Sequence, residues 1–371
     1  MKRILCLILV LFLALPGCAN KSLPPVPETT QSATYATIDD NAGLRLTQES
    51  NVRKATYEDK SAYTDFLNYS EKSFIIPGLK QVLTPQGIAV SPTSGRTYIS
   101  AYSVDDVPSV VAVTEAGSNE LVAEYYLYNS DGSPFTSHVG GIALTDTHMY
   151  LSDATDESGN YRIAAIPLND LPPEGSNNIT VNETVIMAVS PSMMNYSDGY
   201  LWVGNFYHPS ADYVLSPHMN YTTVASDGSE YGCYILGYDM TQGHDRLISG
   251  DSYPMPDLIL AAPNRIQGIT FAGTDKVVLS QSYGRANDST LFVYNLDLDE
   301  VPDLELTLND QKIPAFLLDD LRLSQSINSI PMSEGLATAS DGRILVLYES
   351  GAIRYQDGKH RTSYVWTMSL E

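Results

Sequence analysis

The sequence predicts an all-β protein: a five- or six-bladed β-propeller preceded by a signal peptide and a flexible tether. Three observations lead there. From Ser73 onward, short apolar runs are punctuated by Gly, Asp, Asn and Pro, the pattern of strands joined by tight turns. One unit recurs through that stretch: a polar residue or Gly, then Gly, an apolar pair, a turn, and a strand rich in Tyr or Val. The copies return roughly every 50 to 75 residues, room for four short antiparallel strands each. A single sheet with two apolar faces is not stable alone, and sheets set radially bury each other's faces. A pair of β-sandwich domains is the competing arrangement, which the recurrence of one unit across most of the chain disfavours.

The elements follow in chain order. Residues 1–17 open with Met1-Lys2-Arg3 and continue in an apolar run from Ile4 to Leu15, too short to span a bilayer as a helix. Two cations before such a run make a signal-peptide core. The run ends in Leu15-Pro16-Gly17-Cys18, which resembles a bacterial lipobox, so Cys18 is the expected site of lipidation and becomes the new N-terminus. An ordinary secretory signal, cleaved a few residues later, is the alternative. Residues 18–72 then hold the lipidated cysteine, a Pro-, Ser- and Thr-rich tether over 19–35, and a polar segment with a short helix expected around Ala55–Leu67. The propeller occupies residues 73–371.

Within it, Gln86-Gly87-Ile88-Ala89-Val90 leads to Thr97-Tyr98-Ile99-Ser100, and Gly140-Gly141-Ile142-Ala143-Leu144 leads to Met149-Tyr150-Leu151-Ser152. A third copy lacks the opening but keeps the strand Tyr200-Leu201-Trp202-Val203-Gly204. Gln267-Gly268-Ile269-Thr270-Phe271 and Glu334-Gly335-Leu336-Ala337 open the fourth and fifth. The recurrent glycine suits an inner strand crowded at a central channel, where a Cβ would clash. A sixth copy has room only between Ala211 and Pro256 or after Ser289. Ring closure is expected from strands at both ends, Ser73–Pro77 and Ser363–Met368.

Composition narrows the function. The chain of 371 residues carries a net charge of -23, moving to about -25 once Lys2 and Arg3 leave with the signal. Such a chain is repelled by nucleic acid and by anionic headgroups, so nucleic-acid binding is excluded. Of three cysteines, only Cys233 lies beyond the leader and the lipidation site, so no intramolecular disulfide is available and stability must come from a core. The acyl chains on Cys18, palmitate among them, are the one membrane attachment the sequence offers, on the extracytoplasmic face. The 25 tyrosines against 8 phenylalanines suit half-buried strands and wet binding surfaces alike.

In a propeller, residues just before each inner strand and just after each second strand gather near the channel. The first set is Gln86, His138, Asn195, Gln267 and Glu334. The second is Tyr102, Asp153, Asn205, Gln281 and Glu349, with Tyr283, Arg285 and His208 nearby. Together they are the candidate ligand-binding residues of a channel mouth. The bland reading of each is a hydrogen-bonded channel residue or a solvated turn.

The phrases Pro85-Gln86-Gly87, His138-Val139-Gly140-Gly141-Ile142, Leu201-Trp202-Val203-Gly204-Asn205-Phe206-Tyr207, Leu279-Ser280-Gln281-Ser282-Tyr283-Gly284-Arg285 and Met332-Ser333-Glu334 resemble those of uncharacterised secreted bacterial propeller lipoproteins. The repeat architecture is distantly similar to the gluconolactonase, regucalcin and strictosidine-synthase-like superfamily. That resemblance implies a calcium site built from a first-blade carboxylate, two asparagines and an aspartate. Calcium takes six to eight oxygens, and Glu334, Asp153, Asn195 and Asn205, with Gln267, are the ligands it would find here. The first-blade position is Gln86, a neutral residue, which departs from that pattern.

Three functions follow as expectations. The favoured one is a membrane-anchored propeller lipoprotein that binds a polar small molecule, a glycan or an envelope protein at the channel mouth. The alternative is a calcium-dependent lactonase or esterase. A third, resembling streptogramin-opening lyases, would use His138 as base beside Glu334. No Gly-x-Ser-x-Gly, His-Glu-x-x-His, phosphate loop or Cys-x-x-Cys is present.

Overall fold

The computed structural model describes residues 44–103, 107–210, 213–241, 247 and 252–370. The leader, Cys18 and the tether over 19–35 lie outside the described residues. The rest is a ring of five four-stranded blades.

Blade one runs Thr84–Val90, Thr97–Tyr102, Val110–Thr114 and Leu121–Asn129 from the axis outward, with Gly175–Val181 added in parallel at its edge. Blade two is Ile142–Leu144, His148–Asp153, Tyr161–Pro167 and Glu183–Met187. Blade three is Met193–Ser197, Tyr200–Gly204, Cys233–Asp239 and Leu258–Ala262. Blade four is Ile266–Ala272, Lys276–Gln281, Ser289–Asn295 and Leu323–Ser329. Among the described residues, the regions that had room for a sixth blade hold two hairpins instead. The hairpin Leu304–Leu308 and Gln311–Leu317 extends blade three, while Thr223–Val224 pairs with Glu230–Tyr231 in a small hairpin of its own.

Blade five closes the ring. Its inner strands are Ser333–Thr338, Ile344–Tyr348 and Tyr364–Met368, and its outermost strand is Ser70–Ile75 from the beginning of the propeller. Ser70 faces Met368 and Ile75 faces Tyr364 in antiparallel register. A strand from the beginning of the propeller thus covers the edge that Tyr364–Met368 would otherwise leave open. The segment before it is also part of the folded body. A 3-10 turn, Ser61–Tyr63, runs into the helix Thr64–Tyr69, so the helix begins later than the sequence predicts. Tyr57, Tyr63 and Phe66 are buried against Tyr348 and Trp366 of blade five. Farther back, the buried Glu124 of blade one accepts the backbone N–H groups of Arg45 at 2.8 Å and Leu46 at 2.9 Å.

Between blades, the cores are Val, Ile, Leu, Met and Tyr from facing sheets. At the axis the crowding is severe. A Cβ on Gly268 would stand 2.5 Å from the Glu334 carbonyl oxygen, and one on Gly335 would stand 2.8 Å from the Ile88 nitrogen. Gly141, Gly268 and Gly335 are therefore fixed by the approach of the next blade's backbone, and Gly87 by the Ser100 hydroxyl and the Ile142 side chain. No helix among the described residues is long and apolar enough to cross a membrane.

Candidate functional site: a carboxyl pair at the channel mouth

At one end of the axis the inner-strand starts and the second-strand ends surround a cavity of about 750 Å³. Gln86, Tyr102, His138, Asp153, Gln267, Tyr283, Arg285, Glu334 and Glu349 all line it, as the sequence predicts.

Its floor is built by blade five. Glu334 precedes the glycine of the inner strand, and Glu349 follows the second strand. The hairpin between those strands brings the two residues side by side, close enough for each to bear on the other's ionisation. The neighbouring blades complete the frame. The Gln86 side-chain amide donates to Glu349 Oε2 at 2.9 Å, and the Gln267 amide donates to Glu334 Oε1 at 3.3 Å. Tyr355 lies beside Glu349 and favours its charged form. Burial pushes Glu334 far above the carboxylate range, and the Glu349 carboxylate beside it pushes it further. Burial also raises Glu349, to about 7, against the pull of Tyr355, Gln86 and the guanidinium groups of Arg354 and Arg285. Two buried acids this close cannot both ionise readily. No Lys or Arg forms an ion pair with either among the described residues.

The walls are aromatic. Tyr102 and His138 lie with ring centroids 4.2 Å apart. Across the mouth, Phe206 meets Tyr213 edge-on and Tyr283 face-on, and His208 lies 4.2 Å from Tyr283. His138 is exposed into this cavity, with protein packed around the rest of its ring. That desolvation, with the positive charge of Arg354 nearby, lowers its pKa to about 4, so the imidazole is neutral at physiological pH. The other charges are already matched. Asp153 is held by Arg162 at 2.8 Å, and Arg285 by both carboxylate oxygens of Asp357 at 2.9 Å. Arg354 donates to the Tyr102 hydroxyl at 2.6 Å and stacks over Tyr355.

Three predicted residues are elsewhere. Asn195 lies at the narrow end of the channel, beside Thr270 and Thr338 in a separate chamber of about 50 Å³. The reason is register. Opposite the second-strand residues Ser100, Ser280 and Gly204 stand Gly87, Gly268 and Met193, so Ser192 is the blade-three counterpart of Gln86. Asn195 is three residues farther along, roughly 10 Å down a strand. Asn205 is buried and turned into the backbone, accepting from Tyr234 N at 2.7 Å and donating to the Gly232 carbonyl at 3.0 Å. Gln281 donates to the Asn264 carbonyl at 2.8 Å. The calcium set Glu334, Asp153, Asn195 and Asn205 is therefore not gathered at one place. Among the described residues no three His, Cys, Asp or Glu side chains converge on a point. His138 and Glu334 do share the cavity, but the hydrogen bond to the Glu334 carboxylate comes from Gln267.

The sequence pattern does not reveal Tyr355 or the seryl lining at Ser137, Ser152 and Ser192. Ser152 is visible only as the end of a repeat strand. Tyr355 ends a 3-10 turn outside the repeat, Ile353–Tyr355, so no spacing points to it.

No protein-family model matches the sequence, and no curated protein does. Solved structures do. The chain is similar to the GH43_1 enzyme from Xanthomonas citri, with 12% identity, a TM-score of 0.41, and coverage of 84% of this chain and 93% of that one. It is similar to a putative oxidoreductase (glucose dehydrogenase) from Thermus thermophilus, with 11% identity, a TM-score of 0.37, and coverage of 81% and 99%. It is also similar to a gluconolactonase from Xanthomonas campestris, with 12% identity, a TM-score of 0.33, and coverage of 83% and 93%. At these values the chain is distantly similar to glucose-dehydrogenase- and gluconolactonase-like propellers in fold, as its repeats foretell, and the likeness carries no reaction with it.

Proposed function

We propose that this chain is an exported, lipid-anchored propeller that binds a polar, hydroxyl-rich ligand, a glycan above all, at the channel mouth. The observation that carries the reading is the floor: two adjacent acids, each bonded to a glutamine amide, in a cavity lined by Tyr102, Phe206, Tyr283 and Tyr355. Amides, hydroxyls and a carboxyl pair offer both donors and acceptors to sugar hydroxyls, and aromatic faces suit the apolar side of a sugar ring. Cys18 supplies the anchor, and the tether sets the mouth away from the bilayer.

Hydrolysis is the second reading, favoured by the near-neutral titration of Glu349, which suits an acid–base group. The two acids are each bonded to a glutamine amide and face a cavity of about 750 Å³, the size of a pocket for an organic ligand, so binding is the better account.

The test is a melting-curve screen of the purified chain, Cys18 replaced by Ser, against neutral, amino and acidic saccharides, each in chelator and in calcium. A ligand at about a hundred times its dissociation constant adds roughly 2.7 kcal/mol, a shift of a few degrees. A saccharide should give that shift, and Tyr283→Ala should abolish it. Stabilisation by calcium alone, with no saccharide effect, would return the account to the calcium-dependent hydrolase.

A further inference from the structure

The mouth contains one electrostatic oddity. Buried acids in proteins are normally paired with a cation or hold a metal. Asp153 has Arg162, and the half-buried Asp303 has Arg322 at 2.8 Å. Glu334, only 4% exposed, and its neighbour Glu349 have two glutamine amides, with Tyr355 beside them. The cations nearest the pair are engaged elsewhere: Arg285 with Asp357, Arg354 with the Tyr102 hydroxyl and the faces of Tyr102 and Tyr355. The fold thus leaves the two acids without a direct ion pair, with only the longer-range pull of Arg354 and Arg285, so the floor keeps acceptor capacity for a positive charge.

Resting on the reading of the mouth as a saccharide site, we propose that the ligand is an amine-bearing saccharide whose ammonium group is received by Glu334 and Glu349. An ammonium carries three donors and no acceptor, which complements two adjacent carboxylates with lone pairs to spare beyond the glutamine amides. The electrostatic balance is simple. The pair gives its proton to the solvent, becomes doubly negative, and the ammonium replaces that proton. The carbon framework of the ligand then lies between the Tyr102 and Tyr283 walls, where an adjacent positive charge gains further from the ring faces.

A metal ion fits less well. Calcium needs six to eight oxygens, and no third acidic side chain approaches the pair among the described residues. A cavity of about 750 Å³ is also the size of a pocket for an organic molecule, not an ion. The groups that face the pair and bear on its protonation are Gln86, Gln267, Tyr355, Arg285 and Arg354. His138 stays neutral across the neutral range, so it does not compete for the released proton.

The experiment compares glucosamine oligomers with their N-acetylated counterparts by isothermal titration calorimetry at neutral pH, in two buffers of different ionisation heat. The amine form should bind at least roughly tenfold more tightly, the scale of one charge-assisted hydrogen bond. Its binding heat should reveal proton release, and Glu349→Gln should lose both the preference and the release. Melting curves of the variant check that it is folded, and the wild-type comparison needs no variant at all. Equal or tighter binding of the acetylated form overturns this inference and leaves the saccharide site standing. Binding of neither form overturns both. Calcium that competes with the amine would make the missing cation a metal and overturn it as well.

Discussion

Glu334 and Glu349 make the mouth sensitive to pH, and the sign can be worked out. Both acids are raised in the folded state, Glu349 to about 7. The folded chain therefore holds more protons than the unfolded chain from the ordinary carboxylate range up to that value. The stability this contributes is complete below the unfolded pKa and is lost as pH rises through the folded one. His138, lowered to about 4, acts at the other side. Its contribution is present above the ordinary imidazole value and is lost as pH falls. Between the two ranges the effects oppose one another, and above neutrality only the glutamate loss remains. Replacing Glu334→Gln removes one of the two charges and keeps a hydrogen-bonding group beside Glu349. The wild type should therefore lose more of its melting temperature than the variant between about pH 6 and about pH 9, by a few degrees for a domain of this size. Parallel melting curves across that range would show that the two acids do not repel. At this scale, the identities of the mouth residues are legible because they sit at fixed places in the repeat. Their partnership is not, because Glu334 and Glu349 are apart in sequence and meet only through a hairpin.

At the scale of the strand, the repeat glycine is a packing requirement. Where a copy keeps it, the register and direction of the neighbouring polar residue follow, as at Gln86, Gln267 and Glu334. Blade three breaks the rule and compensates. Met193 takes the glycine's place, and the strand opposite supplies Gly204, whose own Cβ would stand 3.0 Å from the Met193 side chain. The bulk and the gap have changed strands. Without the glycine as a marker, the sequence points to Asn195 as a mouth residue although it lies three positions too far along. Asn205 and Gln281 follow their strands as expected, but loops that must satisfy their own backbone groups take up both side chains. Ring closure is legible because an apolar strand at each end of the domain has no local partner. It predicts a sharp boundary. A chain beginning at residue 44 should melt cooperatively. One beginning at Ile76 leaves the edge of Tyr364–Met368 uncovered and strips Tyr57 and Phe66 from Trp366. It should aggregate or melt without cooperativity. Equal melting of the two would mean that the outer strand does not hold the ring.

For the molecule as a whole, five copies of one unit make five blades, and the described insertions add edge strands and hairpins without adding to the circle. The free cysteine is buried, its thiol donating to the Asn205 carbonyl at 3.1 Å, and burial raises its pKa, so it plays no part in the mouth. The net charge of -23 keeps the surface acidic and favours the approach of cationic ligands, consistent with the amine proposed for the floor. What the repeat does not convey is which end of the channel is open. That depends on loops outside the repeat, including the turn that carries Tyr355 and the segment that carries Phe206 and Tyr213. The account rests on the mouth being the binding site and the carboxyl pair being its floor. The most direct measurement is a crystal structure of the chain with the saccharide that stabilises it best. The account predicts density between Tyr102 and Tyr283 with polar contacts to Glu334 and Glu349. A saccharide bound at the narrow end beside Asn195, or on the outer face of the blades, would contradict it.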